Sequence, residues 1–317
     1  MDRQTLLTAL GEFPQKIPHQ ATILESVDCG AYLREKVEYS TEPGDRIRAY
    51  LCLPKSRKVK SPAIFCHHQH DWNFTLGKSE SVGLAGNPDQ RYAAELAERG
   101  YITFAPDAIG FEERNRTAGT AETLCLELTT RLVTGRTLTA KILHDASVGI
   151  DYLESRAEVD PTRIGFLGHS YGGRMAIWLP AIDQRIRASV SHAGCISYRD
   201  SLTPDAGVQM EFCIPSITNI CDIADIAALV SPTPLLISAC ADDTWSRGAQ
   251  QLYDSSIAAF PAPNLQLKLW PGPHAFTPPM RQAAYVFLDQ HLLSEDSHPY
   301  QSATHPAQNP GKEKGTK

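Results

Sequence analysis

The segment Arg-Ile-Gly-Phe-Leu-Gly-His-Ser-Tyr-Gly-Gly, residues 163–173, decides the fold of this chain. An apolar run at 164–167 is typical of a strand, and a helical pattern follows at 174–182. Between them stands Gly168-His169-Ser170-Tyr171-Gly172, a strand-to-helix turn with a serine at its apex, which is the nucleophile-elbow pattern. Glycine is expected two residues before and after the serine, because side chains there would collide in so tight a turn. The segment therefore predicts a serine hydroxyl presented at the end of a sheet.

On both sides of this segment, short apolar runs alternate with longer helical patterns. Runs at 37–40 and 47–53 flank Glu42-Pro43-Gly44-Asp45, which predicts an antiparallel hairpin. Strands buried on both faces that alternate with helices predict an α/β fold, with a mostly parallel central sheet and helices on both faces. The predicted strands are 62–67, 101–105, 163–167, 187–193, 234–240 and 265–270, and the predicted helices are 89–99, 138–155, 174–182, 245–260 and 279–293.

The same patterns divide the chain into regions. Residues 1–36 are predicted to form an N-terminal helical arm with a helix at 3–10, and residues 37–293 the catalytic domain. Within that domain, the proline-containing segment 197–228 is predicted to form a partial cap over the site. The polar tail at 294–317 contains three prolines and two glycines and is expected to be disordered.

Composition narrows the class of protein. The 317 residues carry a net charge of −6 and are 42% hydrophobic, which predicts a large packed core and no nucleic-acid partner. No apolar run reaches the roughly 18 to 20 residues that span a bilayer, so neither a membrane partner nor a signal peptide is expected. Eight cysteines without a CxxC pair favour free thiols and a cytoplasmic location. A homo-oligomer is compatible with these data.

A serine needs a base, and the base needs an acid. His274 lies between the last predicted strand and the last predicted helix, where the chain order Ser…Asp…His expects the catalytic histidine. Asp242 and Asp243 directly follow the strand 234–240, at the carboxyl end where α/β sheets carry their chemistry. We assign the acid to Asp242 and expect Asp243 or Thr244 to cap the helix that begins near Trp245.

Developing negative charge on a carbonyl oxygen needs donors that are already in place. One is expected to be the backbone N–H of Tyr171, which follows the serine. The second is expected from the loop after strand 62–67, from the N–H of Gln69 or of His70, and the sequence leaves that choice open. Four aromatic residues in loops on this side are candidates for substrate binding, although each is equally compatible with a place in the core: Trp72, Phe74, Trp245 and Phe276.

Three histidines within four residues, at 67, 68 and 70, raise the question of a metal. Their spacing matches no common zinc signature, and no nearby carboxylate completes a ligand set. We expect no metal and no cofactor.

Together these motifs resemble the dienelactone-hydrolase-like and acetyl-xylan-esterase-like branch of the α/β hydrolases, over about residues 37–293. The resemblance implies an α/β-hydrolase fold and hydrolysis of a small-molecule ester through an acyl-enzyme. Related hydrolases usually carry the acid three residues after a small residue that ends the strand, here Ala239, which favours Asp242. Dienelactone hydrolases proper use a cysteine nucleophile, so Ser170 indicates a serine esterase instead. The resemblance rests on the sequences at 65–70, 104–107, 159–165, 232–237 and 272–276.

Two other functions remain open at this point. Ser-Tyr-Gly-Gly also occurs in peptidases that resemble prolyl oligopeptidase, although no propeller-sized region precedes the predicted catalytic unit. A non-catalytic binding protein with the same fold is the alternative from another class. Such proteins usually lose a triad residue, whereas Ser170, Asp242 and His274 are all available here.

Overall fold

The structure is a computed structural model that describes residues 1–56 and 60–293. In that part of the chain, one sheet runs in the order β1-β2-β3-β5-β4-β6-β7-β8-β9. Its strands are β1 (Thr22–Asp28), β2 (Tyr32–Glu42), β3 (Asp45–Pro54), β4 (Ser61–His67), β5 (Ile102–Pro106), β6 (Val159–His169), β7 (Ile186–His192), β8 (Leu235–Cys240) and β9 (Leu265–Trp270).

The helices cover both faces of this sheet. The predicted helix at 245–260 is shorter than expected, because short 3₁₀ turns take up its two ends. The sequence analysis missed the helix at Glu122–Val133. The helices are α1 (Arg3–Leu10), α2 (Lys78–Ser81), α3 (Tyr92–Glu98), α4 (Glu122–Val133), α5 (Leu138–Ser155), α6 (Tyr171–Ile182), α7 (Tyr198–Ser201), α8 (Ile223–Ala228), α9 (Ala249–Ser256) and α10 (Pro278–Leu292).

The direction of the strands confirms the predicted α/β class. β1, β2, β3 and β5 pair antiparallel, whereas β5, β4, β6, β7, β8 and β9 pair parallel. Every residue of β4, β5 and β8 is buried, as expected of strands covered by helices on both faces. Side chains alternate between the two faces, so Phe65 stacks on Phe166 at 5.1 Å while Ile64 and Cys66 join the cluster on the opposite face.

The helix predicted at 3–10 is confirmed as α1, but the prediction of a helical arm over all of 1–36 is wrong beyond Leu10. Residues 22–28 form β1, which pairs with β2 at the edge of the sheet. β1 has a partner on one side only, and six of its seven residues are exposed, so its side chains lack the alternation that marks a strand in sequence. The predicted tail at 294–317 lies outside the described residues.

The predicted cap segment connects β7 to β8. It contains α7, α8 and a 3₁₀ turn at Met210–Phe212 that packs against α5. Glu211 and Phe212 in that turn are fully buried, so this part of the segment belongs to the core beside the elbow.

Candidate active site

The elbow has the geometry that its sequence predicts. Ser170 lies at the junction of β6 and α6 with φ of 58°, a left-handed conformation that costs a non-glycine residue energy. A Cβ on Gly168 would lie 2.2 Å from the carbonyl carbon of Gly172, and a Cβ on Gly172 would lie 2.0 Å from the carbonyl oxygen of His67. Since no backbone atom can yield that far, both positions require glycine.

The turn is tied to the neighbouring strand. The N–H of Ser170 donates to the carbonyl oxygen of His192 at the end of β7, at 2.8 Å. Tyr171 then begins α6, and a helix does not provide partners for its first N–H groups. The positive end of the α6 dipole therefore faces the region beside the Ser170 hydroxyl.

His274 lies in the loop between β9 and α10 and reaches back to the elbow. Its ring centroid is 4.6 Å from that of His169, the residue before Ser170. Its Nδ1 lies 2.9 Å from Oδ2 of Asp243. A carboxylate at Nδ1 fixes the proton there, which leaves Nε2 free to accept a proton.

The assignment of the acid to Asp242 is wrong in geometry, because the carboxylate beside His274 belongs to Asp243. The N–H of Asp242 donates to the carbonyl oxygen of Gly272 at 3.0 Å, which continues the pairing of β8 with β9 by one step. Successive side chains of an extended chain point to opposite sides. The side chain of Asp242 is therefore exposed, while that of Asp243 is buried and turned toward the histidine loop.

Asp243 also performs the capping role that the sequence predicted for it or for Thr244. Its Oδ1 accepts the N–H of Trp245 at 3.0 Å, and its Oδ2 accepts the hydroxyl of Ser246 at 2.6 Å. Burial by itself raises the pKa of Asp243, but the hydrogen bonds and charge from His274, Ser246 and Trp245 outweigh it and lower the pKa below its ordinary value. The carboxylate is thus held ionised and fixed in orientation.

His192 is a positioning residue that the sequence analysis left without a role. Its Nε2 lies 2.7 Å from the carbonyl oxygen of Ala275, which can only accept, so Nε2 carries the proton. Its Nδ1 then accepts from the hydroxyl of Ser238 at 2.7 Å, and that oxygen accepts from Nε1 of Trp270 at 2.9 Å. This series of hydrogen bonds holds the backbone of Ala275, the residue directly after His274, in place. The signal that could have found it is its position at the carboxyl end of β7, next to β6 in the sheet.

The loop after β4 is held by histidine rings. Nδ1 of His68 lies 2.7 Å from the carbonyl oxygen of Gln69, and its Nε2 accepts the N–H of Ala108 at 3.0 Å. The amide of Gln69 donates to Glu80 at 3.0 Å. Among the described residues, no acceptor contacts the backbone N–H of Gln69, His70 or Tyr171, which leaves these three predicted donors available for a ligand.

The four aromatic candidates for substrate binding divide into two groups. Trp245 lines a small cleft together with Ser170, Arg174 and Gln209, and Trp72 is 61% exposed on the loop after β4. The other two are buried in the core, which corrects their assignment. Phe74 packs on His70 and Phe111, and Phe276 stacks on His192 at 4.2 Å.

A cluster of three carboxylates near the loop after β4 is neutralised by a lysine side chain of the protein. Asp107, Glu112 and Glu113 bring carboxylate oxygens within 4.8 Å of one another, as ligands of a metal ion would. Nζ of Lys78, which is fully buried, lies 2.7 Å from Asp107, 2.5 Å from Glu112 and 2.6 Å from Glu113. The ammonium group supplies the positive charge, so the cluster anchors α2 and Asp107 has a structural role.

Comparison with known proteins identifies the family. The model of the dienelactone hydrolase family matches residues 47–298, which is most of the chain. The chain belongs to the dienelactone hydrolase family. This membership supports the general class of carboxylic ester hydrolase, and the predicted α/β-hydrolase fold is confirmed.

Individual relatives agree with this assignment. YtaP of Bacillus subtilis (strain 168), which is named as a hydrolase, is 28% identical over 237 residues, 74% of this chain and 78% of YtaP. The carbohydrate esterase MZ0003, from an unknown prokaryotic organism, is 26% identical over 149 residues, 40% of this chain and 34% of that protein. The chain thus matches about a third of that esterase.

Solved structures share the fold at low sequence identity. A Bacteroides fragilis protein described as an acetyl xylan esterase superposes with a TM-score of 0.71 at 17% identity, over 84% of this chain and 73% of that one. The glucuronoyl esterase from Solibacter usitatus gives a TM-score of 0.67 at 16% identity, over 90% and 91% of the two chains. Within the described residues, no helix has the length and apolar composition that crossing a bilayer requires.

Proposed function

We propose that this protein is a serine carboxylesterase in which Ser170 is the nucleophile, His274 the general base and Asp243 the acid. The observation that carries the proposal is the contact of 2.9 Å between Nδ1 of His274 and Oδ2 of Asp243, beside a strained serine turn. A histidine held in this tautomer presents Nε2 to accept a proton, and a serine becomes a useful nucleophile only when such a base is present.

The reaction follows from these positions. The hydroxyl oxygen of Ser170 attacks the ester carbonyl carbon while Nε2 of His274 takes the hydroxyl proton. His274 then gives that proton to the departing alkoxide, so that the alcohol leaves and an acyl ester on Ser170 remains. Water, deprotonated by His274, attacks this ester and releases the carboxylic acid with the serine restored. Asp243 stabilises the imidazolium in both halves of the cycle.

The N–H of Tyr171 and an N–H of the loop at Gln69 or His70 would hold the oxyanion in each tetrahedral intermediate. Their support is that the described residues offer none of these donors an acceptor, and that Tyr171 begins a helix. Removal of one such donor typically lowers kcat by 10² to 10³.

The expected substrate is a small or medium ester, and an acetyl ester is the first one to test. The support for this choice is that three structurally similar proteins are described as acetyl xylan esterases. Trp245 and the exposed Trp72 are the proposed aromatic contacts for that substrate. Eight free thiols support a reducing, cytoplasmic location.

The test is hydrolysis of 4-nitrophenyl esters of two to twelve acyl carbons by the wild type and by Ser170→Ala. The proposal expects turnover that is fastest with short chains and is abolished in the variant. An aminoacyl 4-nitroanilide panel run in parallel tests the peptidase alternative. Ester turnover that survives in Ser170→Ala, or Ser170-dependent turnover restricted to the anilides, would contradict the esterase assignment.

A further inference from the structure

A second carboxylate–histidine pair lies behind the site, and the mechanism above does not use it. Oε1 of Glu211 is 3.3 Å from Nε2 of His70, and the two side chains are 0% and 2% exposed. Neither carboxylate oxygen of Glu211 accepts a hydrogen bond from a described residue, so the approach of Nε2 of His70 at 3.3 Å is its one close polar contact in the described part of the chain. A buried carboxylate is costly unless it is paired, so its single polar partner matters.

The tautomer of His70 follows from its other contact. Nδ1 of His70 accepts the backbone N–H of Trp72 at 3.0 Å, so this nitrogen carries no proton. The proton of the neutral ring is therefore on Nε2, the nitrogen that faces Glu211. The carboxylate fixes the ring in the orientation in which Nδ1 can hold the loop.

The loop needs such an anchor, because its backbone is strained. Asp71 and Trp72 have φ of 46° and 50°, two successive residues in the left-handed region that favours glycine. The N–H of Asn73 closes the turn on the carbonyl oxygen of His70 at 3.1 Å. Strained conformations of this kind persist only where the surroundings over-determine them. This turn directly follows Gln69 and His70, the two candidates for the second oxyanion donor.

Glu211 belongs to a turn that also contacts the other side of the oxyanion hole. Phe212, the next residue, lies under the guanidinium of Arg174 in α6 at 5.0 Å, and its ring centroid is 5.8 Å from that of Tyr171. The hydroxyl of Thr139 in α5 donates to the backbone carbonyl oxygen of Glu211 at 2.6 Å, a contact that adds stability to the turn without involving His70. The Met210–Phe212 turn therefore contacts both elements that carry the proposed donors.

We propose that Glu211 is a positioning residue, which holds the second oxyanion donor in place through Nε2–H of His70. This rests on the proposed function and adds to it a residue from the cap segment. The geometry of the oxyanion hole is then set partly by the segment 197–228, which connects β7 to β8, and not only by the elbow and the loop after β4.

The experiment compares 4-nitrophenyl acetate with its thiono analogue, in which sulfur replaces the carbonyl oxygen. Sulfur accepts hydrogen bonds poorly, so the ratio of kcat/KM for the oxygen ester to that for the thiono ester reports on the oxyanion donors. We expect Glu211→Leu to lower kcat/KM for the oxygen ester by about 10², the lower end of the loss for one donor, and to lower the ratio at least about tenfold. Glu211→Gln keeps the shape and one acceptor but loses the charge, and about a threefold fall of the ratio is expected.

Thr139→Val is the matched control, because it removes a buried hydrogen bond from the same turn without touching His70. It should lower the temperature of unfolding and leave the ratio unchanged. An unchanged ratio in folded Glu211→Gln, or a fall of the same size in Thr139→Val, would overturn the inference. If the wild type shows no Ser170-dependent turnover of the oxygen ester, the proposed function fails and the inference falls with it. Ser170-dependent turnover with an unchanged ratio contradicts the inference alone.

Discussion

The part of the chain that the structure describes contains two carboxylate–histidine pairs, and they differ mainly in their access to water. The side chain of His274 is 29% exposed beside a buried Asp243, whereas His70 and Glu211 are both sealed in the core. In addition, Asp243 accepts a backbone N–H and a hydroxyl, while neither carboxylate oxygen of Glu211 accepts a hydrogen bond from a described residue. A histidine that must gain and lose a proton in each cycle has to be reachable. A sealed histidine can orient a neighbour, but it cannot exchange protons rapidly with substrate or solvent. The same two residue types are thus suited to proton transfer in one place and to positioning in the other.

The largest expected effect is the loss of kcat when the solvent-accessible Asp243–His274 pair is broken. Asp243→Asn should lower kcat by about 10⁴, because the wrong tautomer of His274 then faces Ser170. Asp242→Asn is the matched control and should stay within about twofold of the wild type, since its side chain is exposed and lies away from the histidine. Steady-state kinetics on 4-nitrophenyl acetate measure both. A large loss of kcat in Asp242→Asn with a small loss in Asp243→Asn would show that Asp242 is the acid.

The two pairs should also differ in their effect on stability. His70→Ala leaves the Glu211 carboxylate buried without a partner and should lower the free energy of unfolding by about 3 to 5 kcal/mol. His274→Ala leaves Asp243 with its hydrogen bonds from Trp245 and Ser246. This variant should change the free energy of unfolding by less than about 1 kcal/mol. Urea denaturation at pH 7 gives both values. Equal losses of free energy of unfolding in the two variants would show that the buried His70–Glu211 pair contributes no more to stability than the Asp243–His274 pair.

Sealed histidines should also make the fold sensitive to acid. Burial lowers the pKa of His67 to about 3 and the pKa values of His68 and His192 to about 4, against an ordinary value of 6.5. Below about pH 6.5 the unfolded chain therefore binds protons that the folded chain does not, and stability falls as the pH drops toward 4. Each such histidine steepens the fall by up to about 1.4 kcal/mol per pH unit.

Denaturation of the wild type and of His68→Gln at several pH values between 7 and 5 measures this. The variant should show a shallower dependence, because one of the three groups no longer takes up a proton on unfolding. A free energy of unfolding that is constant from pH 6.5 to 5 in the wild type would contradict the sealed, neutral state of these rings.

The smallest expected effect concerns the support of Asp243. Ser246→Ala removes the hydroxyl that donates to Oδ2 of Asp243 at 2.6 Å, and it should lower kcat about threefold to tenfold, equivalent to about 1 kcal/mol for one hydrogen bond. Ser231→Ala is the control, since the Ser231 hydroxyl also donates one hydrogen bond, to the carbonyl oxygen of Ala259, and does not contact Asp243. Similar values of kcat for the two variants would show that Asp243 does not depend on this bond.

The sequence predicted the frame of the site because that frame depends on local chemistry. The elbow at Gly168–Gly172, the position of His274 after β9 and the aspartates after β8 follow from turn sterics and from the edge at which parallel strands end. The choice between Asp242 and Asp243 does not follow, because it depends on how far β8 continues to pair with β9. That is a tertiary hydrogen bond, between Asp242 and Gly272, that no local pattern encodes.

Contacts between residues that are far apart in the sequence could not be predicted from it either. Glu211 lies 141 positions after His70 (211 − 70), in a segment for which the sequence suggested only a partial cap. Phe74 and Phe276 belong to the core because they are buried, and the sequence does not show whether an aromatic residue in a loop is buried. The edge strand β1 lacked a periodic pattern because six of its seven residues are exposed, so neither of its faces is buried.

In the proposed mechanism, the Asp243–His274 pair activates Ser170. The most direct test is the rate at which a fluorophosphonate labels the protein, with the modified residue identified by mass spectrometry of the peptide. We expect the label on Ser170, an equal rate in Asp242→Asn and a rate lower by at least about 10³ in Asp243→Asn, since the phosphonyl transfer needs the same base. A label on another residue, or an undiminished rate in Asp243→Asn, would contradict the account.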